Sequence, residues 1–346
     1  MITIRRLSVP ITVGVILAAC ADADPAGPEA PAERTLTVDA SQAWAYVAFD
    51  GEEAVPVTVG DRSGSTAWDM AFLATSVMLN GGAAGPGGVV GHCVCQNAGA
   101  TDGEITEMTP ETELADFEAV TADAIPEGDE AWVSDALAPA IDGWYRYDPS
   151  AHVVSAVPEN VWKVRTASGE GYAKFHVTAI EGATQEHAGR ITIEYAVQPS
   201  AGAAFEATRV QTVDVSGGAV RFDLETGSVV DAGEAWDLWF EGYAIRVNGG
   251  VSGEGSAGAT LSGESFEAVA DASDLPADHY RGDAFGGVFD AHPWYRYNLL
   301  GQHQIWPTYD VYLVKRGESV YKVQLTGYYG PTGEPRQVTF RYARLR

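Results

Sequence analysis

The sequence predicts an all-β protein made of two tandem antiparallel modules, and three observations carry that prediction. First, Trp144-Tyr145-Arg146-Tyr147 is written again as Trp294-Tyr295-Arg296-Tyr297. Second, the flanks recur in the same order. Trp68-Asp69-Met70 answers to Trp236-Asp237-Leu238, and Asn80-Gly81-Gly82 to Asn248-Gly249-Gly250. Gly85 and Gly87 answer to Gly253 and Gly255, and Val161-Trp162-Lys163-Val164 to Val311-Tyr312-Leu313-Val314. The offset drifts slowly along the chain, as loop insertions in a duplicated module would make it. Third, Tyr321-Val323-Leu325 and Val338-Phe340-Tyr342 alternate with other residues, the period of a strand with one buried face. No stretch holds a helical apolar stripe for four turns.

Taken in order, residues 1–19 read as a secretory signal. Arg5 and Arg6 precede the apolar run Ile11–Ala19, which is too short to span a bilayer. The run ends in Leu17-Ala18-Ala19-Cys20, the form of a bacterial lipobox, so cleavage before Cys20 and acylation of that residue are expected. Residues 20–35 are mostly Ala, Pro and acids and cannot bury enough apolar area to order themselves; they read as a flexible tether. The first module is expected over 36–199 and the second over 209–346, each with a core of its own, joined where Pro, Ser and Gly cluster near Gln198–Ala204. One short helix is expected within Glu111–Ala124, where Leu114, Phe117 and Val120 are spaced by three.

The formal net charge is −27, and removing Arg5 and Arg6 makes it more negative. Nucleic-acid binding and flat contact with anionic lipid are excluded as primary functions, since both need a basic surface. No Gly-x-Ser-x-Gly, His-Glu-x-x-His or P-loop is present, and the expectation is a protein that is not an enzyme. The Gly-x-Gly loops lack a following helix, so they read as tight turns, not as phosphate cradles.

A strand opening with Trp-Asp, then Asn-Gly-Gly with a Gly-x-Gly loop, then the aromatic strand and a closing Val338-Thr339-Phe340-Arg341-Tyr342, resembles the HmuY family of bacterial surface lipoproteins. Leu36-Thr37-Val38-Asp39-Ala40-Ser41 is similar to that family's opening strand. The resemblance implies an all-β fold, lipid anchoring to the outer membrane and haem capture, with haem or a haem-carrying protein and an outer-membrane receptor as partners. The family takes one haem-iron ligand from the loop just after the aromatic strand. The matching places here hold Asp148 and Asn298, neither a good ligand, with His152 and His303 a few residues further on.

Among the seven histidines, His279, His292 and His303 crowd around the second aromatic tetrapeptide. The expectation is that two of these three hold haem iron in the second module, with the porphyrin against Trp294 or Tyr295. Glu130 and Ile141 stand roughly where His279 and His292 do, so the first module lacks the set. His176 reads as a structural strand residue. The alternative is a cell-surface binding or structural lipoprotein that recognises another ligand through its aromatic strands.

If Cys20 is acylated, Cys93 and Cys95 remain as a close pair in an oxidising, exported setting. Two readings stand. One is a disulfide closing a very small ring, and the other is a soft-metal site made with His92. Gly258-Ala259-Thr260 occupies the corresponding place in the second module, so the cysteine cluster is not a requirement of the fold.

Overall fold

The computed structural model describes residues 33–231 and 233–346. The signal, Cys20 and nearly all of the tether lie outside those residues. The first block holds β1 (Arg34–Asp39), β2 (Ala45–Asp50), β3 (Glu53–Val57), β4 (Met70–Leu73), β5 (Ser76–Leu79), β6 (Val90–Cys93), β7 (Ala136–Ala138), β8 (Tyr145–Asp148), β9 (Val153–Ala156), β10 (Val161–Arg165), β11 (Tyr172–Glu181) and β12 (Arg190–Gln198). The second repeats the series as β13 (Arg209–Asp214), β14 (Val220–Asp223), β15 (Ser228–Val230), β16 (Leu238–Glu241), β17 (Ala244–Val247), β18 (Gly258–Leu261), β19 (Ala284–Gly286), β20 (Tyr295–Tyr297), β21 (Ile305–Pro307), β22 (Val311–Arg316), β23 (Ser319–Tyr329) and β24 (Pro335–Arg344). All the strand ladders are antiparallel, so the all-β expectation holds.

Neither block closes its own sheet. One five-stranded sheet runs β1-β24-β23-β22-β6 and the other β13-β12-β11-β10-β18. Each combines two strands from the front of one block with three from the back of the other. The four-stranded sheets β3-β2-β4-β5 and β15-β14-β16-β17 follow the fronts of their blocks. The expectation of one core per consecutive module is therefore corrected. One core joins Val47, Met70, Phe72 and Leu79 to Trp294, Tyr312, Val323 and Phe340. The other is drawn from residues 141–259 alone, with Trp144, Phe175, Ile193, Phe222 and Ile245 at its centre. We call the first the split unit and the second the continuous unit.

Chain connectivity explains the exchange. β12 and β13 are joined only by residues 199–208 and pair directly, from Tyr195↔Arg209 to Arg190↔Asp214. Consecutive strands with a short connection pair at a low entropy cost. Once β13 has taken the edge beside β12, the equivalent edge of β24 is filled by β1 from the far end of the chain, Arg34↔Tyr342 to Asp39↔Gln337. The crossing point is a two-stranded ribbon of equivalent strands, β7 and β19, paired Ala136↔Gly286 to Ala138↔Ala284.

The repeated motifs brace the backbone. Asp69 is fully buried and accepts from the Phe49 amide at 2.7 Å; Asp237 accepts from Ala167 at 2.7 Å and Leu224 at 2.8 Å. The Asn80 side chain donates to the Trp68 carbonyl (2.8 Å) and accepts from the Gly87 amide (3.0 Å), and Asn248 repeats both contacts with Trp236 and Gly255. A Cβ on Gly85 would lie 2.1 Å from Asn80 Oδ1, and one on Gly253 2.0 Å from Asn248 Oδ1. These loops are wrapped around an asparagine and offer no cradle to a phosphate.

The helical expectation is met by α2 (Leu114–Ala119), which buries Phe117, followed by a 3₁₀ turn at Ala122–Ala124. Lys322 caps it from the sheet, donating to the Phe117 and Val120 carbonyls; Lys174 does the same to Phe266 and Val269 in the continuous unit. The preceding helix, α1 (Asp102–Glu107), has no apolar stripe and was not expected. Its signal is the capping box of Thr101 and Glu104. Among the described residues no helix is long and apolar enough to cross a membrane.

Candidate functional site

The two Trp-Tyr-Arg-Tyr stretches fold alike, each opening a hairpin from a buried tryptophan. Trp144 and Trp294 are each 1 % exposed, one in each core, and their carbonyls accept from Val157 and Thr308, both at 2.9 Å. The following residues form the hairpins β8–β9 and β20–β21, which run out from the core to solvent. Strand alternation puts the two tyrosines of each tetrapeptide on one face and the arginine on the other.

At both tips an exposed tyrosine meets a histidine. Tyr147 Oη lies 2.8 Å from His152 Nδ1, and Tyr297 Oη lies 2.8 Å from His303 Nδ1. Tyr147 is 52 % exposed and Tyr297 56 %, although a solvated loop gives an aromatic ring little reason to be ordered there. Both histidines have left-handed backbone, φ 53° and 57°, which turns the imidazole back over the hairpin. Asp148 and Asn298 brace the turns: Asp148 accepts from the Ser150 and Ala151 amides and Asn298 from the His303 amide at 2.8 Å. The Ser150 hydroxyl holds the Asp148 carboxyl below its ordinary range. Those two residues are occupied with the hairpin.

The surroundings differ. Beside Tyr147 lies an open cavity of about 690 Å³, lined by Tyr145, Tyr147, His152, Val154, Thr184 and Tyr243, with Ala183 and Gln185 at its edge. Tyr243 packs on Tyr145 with ring centres 5.0 Å apart and donates to the Thr184 carbonyl. Burial beside Tyr145 raises the Tyr243 phenol above its ordinary value, so it stays protonated. At the equivalent turn of the split unit stands Thr75, whose carbonyl accepts from the Trp294 indole at 2.8 Å. There the neighbouring aromatic group is Tyr329, whose hydroxyl accepts from the Ile305 amide.

The three histidines singled out from the sequence fall in different surroundings. His279 ends an exposed 3₁₀ turn beside Tyr280, which packs on Tyr172 of the continuous unit. His292 follows α3 (Val288–Ala291) and faces Cys93 and Cys95. His303 is the partner of Tyr297. Among the described residues these three do not form one cluster of ligand atoms. The histidine that sequence reasoning left out of its set is His152, and the signal for it was its place five residues after Tyr147, matched by His303 six after Tyr297. His176 is structural: it lies 2.8 Å from the Pro158 carbonyl and 3.3 Å from Glu194.

A second cavity, about 620 Å³, lies where the two units meet. Trp44, Val77, Arg281, Phe285 and Tyr295 line it, and Arg62 crosses its neighbourhood to the Val251 carbonyl at 2.8 Å. No histidine lines it. Arg296 is committed elsewhere, to Asp102 and to the Ala100 carbonyl.

The family model described as HmuY protein matches residues 40–195 and 218–342, one segment in each block. Among solved structures, a protein titled HmuY-like and haem-binding from Bacteroides vulgatus is similar at 14 % identity, covering 90 % of this chain and 91 % of that one, with a TM-score of 0.31. The apo HmuY analogue of Tannerella forsythia is similar at 11 % identity, covering 90 % and 95 %, TM-score 0.31. A lipoprotein of Bacteroides fragilis covers 44 % of this chain and 88 % of its own at 15 % identity, TM-score 0.17. No curated protein matches significantly. The family model spans most of both blocks, and on that ground the chain belongs to the HmuY family.

Proposed function

We propose that this chain is an exported, non-catalytic surface protein that captures haem or a related porphyrin for uptake, and that the Tyr147–His152 pair is its principal iron-binding point. The observation that carries the reading is the repeated Tyr–His pair at 2.8 Å, exposed at both hairpin tips and walled by aromatic residues at the first. Tyrosine is a ligand for ferric haem when its phenolate is available. The imidazole 2.8 Å from the hydroxyl keeps the oxygen aimed. A cavity of about 690 Å³ falls in the usual size range of ligand pockets, on the order of 300–1,000 Å³. Tyr145 and Tyr243 supply the flat apolar wall that a porphyrin needs.

Ferric haem added to the purified chain is expected to give a saturable high-spin spectrum with a phenolate-to-iron charge-transfer band. Tyr147→Phe should weaken binding at least ten-fold, and His152→Ala should weaken it less while changing its pH dependence. An unchanged spectrum and affinity in Tyr147→Phe would remove the assignment. Ligation by two of His279, His292 and His303 is the arrangement expected from their crowding around the second aromatic tetrapeptide in the sequence. It predicts instead a low-spin spectrum that survives Tyr147→Phe and is lost in the triple alanine variant.

Anchoring through an acylated Cys20 on the outer membrane, with an outer-membrane receptor as downstream partner, completes the proposal and is supported by the lipobox at Leu17–Cys20. Cys20→Ala should release the protein from membranes or leave its signal uncleaved; unchanged fractionation of the variant would place the anchor elsewhere. The second reading, a surface module for another flat apolar ligand, is favoured only by the openness of the aromatic wall. It would be adopted if haem failed to bind while Tyr243→Ala abolished binding of that ligand.

A further inference from the structure

We propose that Cys93, Cys95 and His292 form a redox-gated site for a single soft cation such as Zn(II) or Cu(I). In the oxidised chain the two cysteines are joined to each other. Their sulfurs and a ring nitrogen of His292 all lie within 4.8 Å of one another. From sequence, the thiol pair lacked a distant partner, and the nearest candidate was His92. The fold decides otherwise. His92 Nδ1 is engaged by the Ala131 carbonyl at 2.9 Å and its ring lies against Trp132. The third donor arrives from the opposite end of the chain, brought by the strand exchange that pairs β6 with β22, Cys93↔Tyr312.

Each donor is held by other contacts. The Tyr312 hydroxyl donates to the His292 carbonyl at 2.7 Å, and the His292 amide bonds to Val288 at 2.9 Å. The Val94 amide bonds to Val311 at 2.9 Å, and the Asn97 amide to Asp310 Oδ1 at 2.9 Å, which fixes the turn carrying Cys95. An accessible hollow of about 270 Å³ reaches Cys95 and His292, leaving room for a water as a further ligand.

Comparison with the continuous unit argues that this is not a requirement of the fold. The strand register corrects the expected counterpart: Gly258–Thr260 match Val90–His92, and Cys93 and Cys95 stand where β18 and its turn have Leu261 and Gly263. Gly263 has φ +71°, and Cys95 takes the same left-handed region at φ 57°. A cysteine there accepts a conformation that glycine adopts freely.

The chemistry balances with a dithiol as reductant. Two electrons and two protons from the dithiol cleave the S–S bond, giving two thiols and leaving the reductant as its own disulfide. A soft cation then replaces the two thiol protons, and His292 adds a neutral nitrogen. A small-molecule disulfide acting as oxidant takes two electrons from the paired thiolates and leaves as two thiols, with two protons from solvent, so that the sulfurs rejoin and the metal is released.

The test uses the described chain, fully reduced under argon, with Zn(II) measured by calorimetry and Co(II) as a spectroscopic stand-in. Expected are one metal per chain, release of about two protons per metal, and a thiolate-to-Co(II) charge-transfer band. The oxidised chain should bind at least a hundred-fold more weakly. Cys93→Ser with Cys95→Ser should abolish the band, His292→Ala should weaken Zn(II) at least ten-fold, and His92→Ala should leave it unchanged. Near-ultraviolet circular dichroism of each variant checks the fold, and His292→Asn serves if alanine unfolds it. Equal binding by the oxidised chain, or a His292 variant that folds and binds as the parent does, would overturn the site. So would a loss confined to His92→Ala.

Discussion

The split and continuous units are built from the same twelve strand positions, yet they are assembled from different lengths of chain. The continuous unit draws both its large sheets from residues 161–261, while the split unit closes its five-stranded sheet by pairing the first described strand with the last. The difference teaches that a duplicated sequence does not imply two self-contained domains. Edge strands pair with whatever complementary edge the connections bring near, and here a ten-residue connection makes the repeats trade partners. The exchange also gives each unit its own chemistry, an aromatic cavity beside one hairpin and a cysteine–histidine cluster near the other.

The largest effect expected from this comparison concerns autonomy. Residues 139–283 expressed alone should fold, with cooperative unfolding and near-ultraviolet signals from buried Trp144 and Trp162. Residues 33–199 and 209–346, each expressed alone, should not, because each lacks the partner strands of its sheets. Mixing those two fragments should restore native dichroism; a cooperative transition in either consecutive fragment by itself would break the account.

Next comes the pair of buried tryptophans. Trp144→Ala and Trp294→Ala should each cost about 3–5 kcal/mol, measured by denaturant unfolding. Trp294→Ala should be the costlier by about 1 kcal/mol, because it also leaves the Thr75 carbonyl without its indole donor.

The third comparison is electrostatic. Burial pushes the Asp135 carboxyl up to about 7 and Asp237 up to about 6, while Asp69, the counterpart of Asp237, has Arg316 at 3.2 Å opposing its burial. A raised carboxyl pKa means the folded state binds its proton more tightly than the unfolded chain. The stability it contributes is complete below the unfolded value near 3.8 and is lost as pH rises through about 6 to 7. Thermal stability should therefore decline from pH 4.5 to pH 7.5, by an amount on the order of 1–3 kcal/mol. Asp135→Asn should flatten the upper part of that decline and Asp237→Asn the lower part. A profile unchanged in both variants would show that other groups set it.

The smallest effect separates the hairpins. Tyr243→Ala removes the wall of the first cavity and should weaken haem binding about ten-fold, or about 1.4 kcal/mol. Thr75→Ala, at the equivalent turn, should leave it within two-fold, and Tyr297→Phe should cost less than Tyr147→Phe. Equal losses in both tyrosine variants would mean that the two hairpins bind alike and that the aromatic wall contributes little.

Much was determined by the sequence alone. Alternation in Tyr321–Leu325 and Val338–Tyr342 specified strands, because side chains on a strand face opposite sides and only one side here is buried. The ordered recurrence of Trp-Asp, Asn-Gly-Gly and Trp-Tyr-Arg-Tyr specified a duplicated HmuY-type pattern, since each asparagine donates to the matching tryptophan carbonyl and accepts from the matching glycine amide in both copies. Pairing was not legible locally. β1 and β13 share one alternation, each burying its fifth residue, Val38 and Val213, so nothing in either strand says whether it belongs beside β12 or β24. Only the tertiary structure decided that, through the length of the connection at 199–208, and with it which distant residues meet. His303 was visible as one of three crowded histidines, but its bond to Tyr297, and the equivalent pair at Tyr147 and His152, came from hairpin geometry. His292 could be placed beside Cys93 and Cys95 only once β6 had crossed to β22, because proximity across 200 residues is a property of the assembled sheet and not of any stretch of chain.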